Sequence, residues 1–124
     1  MDRDGAMRWV EEYERTWRTQ DVAAVARLFT DDARYLRSPF AEPLVGLDAI
    51  GRFWLVDDGA SFAMRAEVVA VDGADAVVRV EVEYLEPEQQ EYRDLWVLRF
   101  APDGRVEHFE EWAYWPEKPY TVAG

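Results

Sequence analysis

Near residue 60 the spacing of apolar residues changes from three and four to two, dividing a chain of 124 residues into a helical part and an extended part. From Gly5 to Arg18, the side chains Ala6, Trp9, Val10, Tyr13 and Trp17 recur at helical intervals, with Glu11, Glu12, Arg15 and Arg18 between them. Asp21 stands where an N-cap would open a second short helix over 22–29, whose apolar face is Val22, Val25, Ala26, Leu28 and Phe29. Thr30, Asp31 and Asp32 read as a turn, 33–37 as a short strand stopped at Ser38-Pro39, and 40–46 as a loop. After Gly46, Ile50, Phe53 and Trp54 share one face of a third helix that Asp57, Asp58 and Gly59 end.

Beyond this point four alternating runs predict strands over 62–71, 76–85, 92–100 and 105–115. Their links are Asp72-Gly73-Ala74-Asp75, Glu86-Pro87-Glu88-Gln89 and Ala101-Pro102-Asp103-Gly104, short enough to make an antiparallel meander. Helices first and a meander second predict a single α+β domain over 1–124, with the helices on one face of the sheet and 116–124 as an irregular tail. If the 86–89 turn closes Leu85 onto Gln90, Glu83–Tyr92, Glu81–Asp94 and Arg79–Trp96 face each other on one side. Val82–Arg93, Val80–Leu95 and Val78–Val97 then lie on the other side. Both faces would carry apolar residues, which a sheet with one wet side does not need, so one is expected to meet the helices and the other a second subunit.

Net charge of −12 and a pI near 4.4 set the chain against phosphate backbones and anionic lipid, so neither nucleic acid nor a membrane surface is expected as a partner. No apolar run reaches membrane-spanning length, and the expectation is a soluble cytoplasmic protein. There is no Cys and one His, which leaves no thiol nucleophile, no disulfide and no two-His metal site within one chain. Six Trp, six Tyr and six Phe must line something, either a packed core or a cavity walled by rings.

The run from Trp17 through Asp21, then Leu28-Phe29-Thr30-Asp31-Asp32-Ala33, Pro39-Phe40, Glu42-Pro43, Gly46, Ala49-Ile50 and Phe53-Trp54, resembles the N-terminal signature of SnoaL-like proteins of the NTF2-like superfamily. Leu95-Trp96-Val97-Leu98-Arg99-Phe100, Asp103-Gly104-Arg105-Val106 and Glu110-Glu111-Trp112 extend the resemblance over nearly the whole chain. It implies a cone in which a strongly bent, mostly antiparallel sheet wraps three helices, with a pocket at the open end and a homodimer through the outer face. It also bears on the 101–104 link, which turn chemistry leaves either as a three-residue loop with Gly104 left-handed or as a four-residue loop. The resemblance favours the second, which pairs Phe100 with Arg105 and puts Leu98–Glu107, Trp96–Phe109, Asp94–Glu111 and Tyr92–Ala113 on the concave face.

On that register Glu81, Asp94 and Glu111 form a row of three carboxylates across adjacent strands. Like charges placed so are destabilising, and beside neutralisation by Arg79 or a bound cation the row has two main readings. Either it is a solvated rim, or partial burial raises one pKa so that a proton is held for acid–base work near neutral pH. Glu111, Asp94 and Glu81 are therefore the candidate catalytic residues, and Tyr13, Trp17, Tyr35, Trp54, Arg79, Tyr92, Trp96 and Phe109 the candidate ligand contacts. Arg79 could stack on Trp96 or pair with Glu81 or Asp94. His108 falls on the outer face beside Val97 and is set aside.

Against relatives, the resemblance implies less. In the steroid isomerases of the superfamily Tyr13 matches a first-helix Tyr, but the base position falls at Arg37 or Ser38 and the sheet acid at Trp96. In the limonene epoxide hydrolases an Arg between two Asp residues activates water; here the Arg position falls at Glu81 and the Asp positions at Glu83 and Glu111. SnoaL-type aldol cyclases use a pocket acid or base on the sheet, for which Glu111 is the nearest match. With no phosphate-binding, dinucleotide or serine-nucleophile motif, the expectation is a cofactor-independent cyclase or isomerase acting on an apolar cyclic or aromatic small molecule. The alternative is a non-catalytic dimeric binding module whose acids form only a wet rim.

Overall fold

The computed structural model describes residues 1–54, 61–86 and 89–116. Helix α1 (Arg3–Thr19) starts where the Asp2 carboxylate accepts the Gly5 N–H at 2.7 Å and stops where Gln20 turns left-handed at φ 53°. Its buried stripe is Ala6, Trp9, Val10, Tyr13 and Thr16, at the spacing that the sequence predicts. The second helical segment is broken into a 3-10 turn (Val22–Ala24) and the single turn α2 (Val25–Leu28). Asp21 makes no capping bond there; its carboxylate faces Arg27 at 3.9 Å instead.

Strand β1 (Phe29–Leu36) begins earlier than expected, because Phe29 is fully buried against the last strand and the pairing bulges between Phe29 and Arg34. The polar run Thr30-Asp31-Asp32 occupies that irregular stretch rather than a separate turn. The expected loop contains β2 (Leu44–Val45), paired antiparallel to the end of β1, and Gly46 at φ 92° leads into α3 (Leu47–Trp54). The predicted stop at Asp57, Asp58 and Gly59 lies outside the described residues, as does the tail beyond Pro116.

Four long strands follow: β3 (Ser61–Asp72), β4 (Asp75–Glu86), β5 (Gln90–Phe100) and β6 (Val106–Tyr114). The sheet order is β2-β1-β6-β5-β4-β3, with β1 parallel to β6 and every other pair antiparallel. Helices α1, α2 and α3 and the inner face of the sheet enclose one core. At one end Phe29, Phe100 and Val106 are almost completely buried; toward the other, Trp17, Val82, Tyr92 and Ala113 are only half-buried, so the layers part there.

The register departs from expectation at two links. Tyr84, not Leu85, faces Gln90, so β4 is displaced by one residue against β5 and all its side chains change face. Val78, Val80 and Val82 point inward, opposite Trp96, Asp94 and Tyr92, while Arg79, Glu81 and Glu83 point outward. The cause lies in β4 itself, where valines alternate with charges; burying Arg79, Glu81 and Glu83 would cost far more than lengthening a turn.

At the 101–104 link the three-residue alternative is the one formed. Gly104 N–H bonds to the Ala101 carbonyl at 3.0 Å, Ala101 N–H bonds to Arg105 at 2.7 Å, and Gly104 sits at φ 89°. A further bulge between Arg99 and Phe100 advances β6 by another residue. The two single-residue displacements sum to two, so the faces expected for β6 survive although the partners change. Glu111 lies opposite Trp96, and Phe109 opposite Leu98.

Candidate functional site

Side chains of β5 and β6 that alternate toward the helices bring Trp96, Asp94, Phe109 and Glu111 to one end of the core. The Trp96 indole Nε1–H donates to Glu111 Oε2 at 3.2 Å. Asp94, two residues before Trp96 on the same face, is 6% exposed, and its Oδ1 is buried with no hydrogen-bond partner. Its other contact is with the half-buried carboxyl of Glu111. Burial first, then the hydrogen bond to Glu111 and that group's negative charge, push the Asp94 carboxyl from 3.8 up to about 9. At neutral pH Asp94 therefore keeps its proton.

Above the carboxyls sit two phenols. Tyr13 of α1 and Tyr35 of β1 join hydroxyl to hydroxyl at 2.9 Å. Burial raises both phenols well above their ordinary range, and the Glu111 charge adds to the shift in each, so both remain neutral. Phe109 stacks on Tyr35 at 4.3 Å with the planes 9° apart, and Tyr13 lies 4.6 Å from Trp96 and 4.8 Å from Trp54. These contacts are typical of edge-on and offset aromatic packing.

Of the residues selected from sequence, Glu111, Asp94, Tyr13, Tyr35, Trp54, Trp96 and Phe109 are brought together, and the last five are core rings with at most 5% exposure. All five belong to the packed core, and the polar tips of Tyr13, Tyr35 and Trp96 bear on the acid pair. Trp17, half-buried and stacked on Tyr13 at 5.9 Å, and Tyr92, half-buried beside Tyr84 and Trp115, stand nearer the open end.

Two of the selected residues stand elsewhere. Glu81 lies on the outer face bonded to Arg65, so the row of three carboxylates is a pair. Arg79 is also outside, opposite Leu95 and 3.9 Å from Glu67, and does not stack on Trp96. His108 is outside as expected, but between Arg34 and Arg99 in the ladder, with Nε2 3.4 Å from Glu110. Tyr84, whose phenol contributes to the field at Tyr13 and Tyr35, was missed because the expected register turned β4 over. Val82 was missed for the same reason, and the valine–charge alternation of β4 was the signal that could have found both.

Among the described residues no three potential ligands gather to hold a metal ion, and no helix is long and apolar enough to cross a membrane. The profile of the SnoaL-like domain matches residues 10–109. Among solved structures, the epoxide hydrolase/cyclase-like enzyme SalBIII, reported for its role in pyran ring formation in the polyether salinomycin, superposes with a TM-score of 0.74 at 20% identity over 94% of each chain. An LEH-like epoxide hydrolase of M. tuberculosis superposes with a TM-score of 0.69 at 17% identity, over 90% of this chain and 84% of that one. At such identities the likeness is one of fold. No curated protein matches the sequence.

Proposed function

The chain belongs to the SnoaL-like domain family, and from that premise we propose that it is a cofactor-independent acid–base enzyme of cyclase or isomerase type, acting on an apolar cyclic or aromatic small molecule. The observation that carries this reading is the Asp94–Glu111 pair, one buried carboxyl that keeps its proton beside a second that accepts an indole hydrogen bond. Such a pair can give a proton and take one in the same event. Glu111 would remove the proton from a ligand C–H or O–H, and Asp94 would protonate the oxygen that gains electron density, leaving the pair with one proton at the end as at the start. One structural neighbour is described as forming pyran rings, a reaction class that asks for these two transfers. The inner surface beside the pair, formed by Val82, Tyr92 and Ala113, suits an uncharged ligand.

The test is Glu111→Gln, assayed on a panel of epoxy-alcohols and cyclic ketones with ligand binding followed separately. Turnover should fall by about 100-fold or more with affinity kept; retained turnover on a substrate of the native protein refutes the assignment. We also propose a homodimer through the outer face, where Leu95 and Trp112 are ladder partners at 43% and 40% exposure and Val97 lies alongside.

A further inference from the structure

We infer that Trp96 is a positioning residue: its indole N–H, given to Glu111, fixes on Asp94 the one proton that the two carboxyls share. The inference deepens the acid–base reading and rests on it. Two carboxyls in contact at the edge of an aromatic core cannot both ionise without strong repulsion, so a single proton must be divided between them. What divides it, beside the deeper burial of Asp94, is the unequal supply of donors. Glu111 Oε2 accepts the Trp96 Nε1–H at 3.2 Å, whereas Asp94 Oδ1 is buried and unpartnered. A bond to a carboxylate favours its ionised form, and an unpaired buried oxygen is tolerated far better on a neutral acid.

Deeper burial of Asp94 than of Glu111 acts in the same direction as the indole bond, and among the described residues no charged side chain is seen to add a third source. Among the described residues the titratable groups in the field of Glu111 are Tyr13 from α1 and Tyr35 from β1, joined to each other, with the Tyr84 phenol of β4 close to both. Arg93, next to Asp94 in sequence, and Arg79, on the neighbouring strand β4, stand on the outer face. Trp96 is itself held rigidly, 3% exposed and in contact with Trp9, Tyr13 and Phe109, so the direction of its N–H is set by the core. The indole therefore assigns the roles, Asp94 as acid and Glu111 as base.

Carbon-detected NMR of the Asp94 and Glu111 carboxyls against pH, in native protein and in Trp96→Phe, tests this. In the native protein Asp94 should lose its proton only at alkaline pH. In Trp96→Phe, which keeps a ring and removes the donor, the Asp94 midpoint should move by about one pH unit or more as the proton is shared. Unchanged midpoints in a folded variant overturn the inference and leave the acid–base reading standing. Ordinary midpoints for both carboxyls in native protein overturn both. If the variant does not fold, the native Trp96 indole N–H resonance decides: it should be protected from exchange and move as the pair titrates, and a resonance indifferent to that titration overturns the inference.

Discussion

Replacing Asp94 by Asn should make the protein more stable in mildly alkaline solution, against the usual cost of altering a buried residue. In the unfolded chain the Asp94 carboxyl ionises near its ordinary 3.8, while in the native state it keeps its proton up to about 9. Between those values the native state binds one proton more than the unfolded state, so this group's contribution to stability is greatest in acid and declines as pH rises. The slope is about 1.4 kcal/mol per pH unit, which makes the loss about 4 kcal/mol between about pH 5 and about pH 8. That is a large share of a typical domain's stability. Asparagine is neutral in both states and its amide can still donate to Glu111, so Asp94→Asn escapes the decline. The carboxylates held below their ordinary range, Glu12, Asp75 and Asp103, bear on stability only near and below pH 4 and cancel in the comparison. Urea unfolding of both proteins across this range should show curves whose separation widens by about 4 kcal/mol from the acid end to the alkaline end. Parallel curves would mean that Asp94 is ionised in the native protein, and the acid–base pair would be lost with it.

Removing either hydroxyl of the Tyr13–Tyr35 pair, as Tyr13→Phe or Tyr35→Phe, takes a buried hydrogen bond from the other; each should cost about 1–3 kcal/mol in denaturant unfolding, and the double variant less than the sum. Gly104→Ala should cost about 1 kcal/mol through its left-handed φ alone, since a methyl group there meets no atom within 4 Å. A larger loss would point to a strained hairpin. Trp112→Glu on the outer face should shift sedimentation toward the monomer; an unchanged mass in both proteins counts against the dimer.

The helices and strands were legible because their patterns are long and clean: the α1 stripe from Ala6 to Tyr13 fixes a helical face, and Pro and Gly mark the hairpin links. Face assignment was legible only where a strand's own alternation was given more weight than the turn beside it. In β4 the turn arithmetic was preferred, and Glu81 and Arg79 were placed on the wrong side. In β6 the sequence Glu110-Glu111-Trp112 puts an acid on each face, so alternation does not decide, and two displacements in the same direction, the three-residue link and the bulge, add to two and keep the faces. The Trp96–Glu111 contact was illegible for that reason: it depends on a bulge between Arg99 and Phe100 that leaves no mark in the pattern of residue types.

The packing of the indoles has an optical consequence. Trp9 and Trp96 lie 6.5 Å apart and Trp17 and Trp54 5.3 Å apart, separations at which excitation passes readily from ring to ring. Energy absorbed in this set samples Trp96, whose indole nitrogen ends on the Glu111 carboxylate, and excited indoles are sensitive to a charge or an acid in contact. The protein's own ultraviolet emission is thus a label-free gauge of what occupies, or discharges, the acid pair.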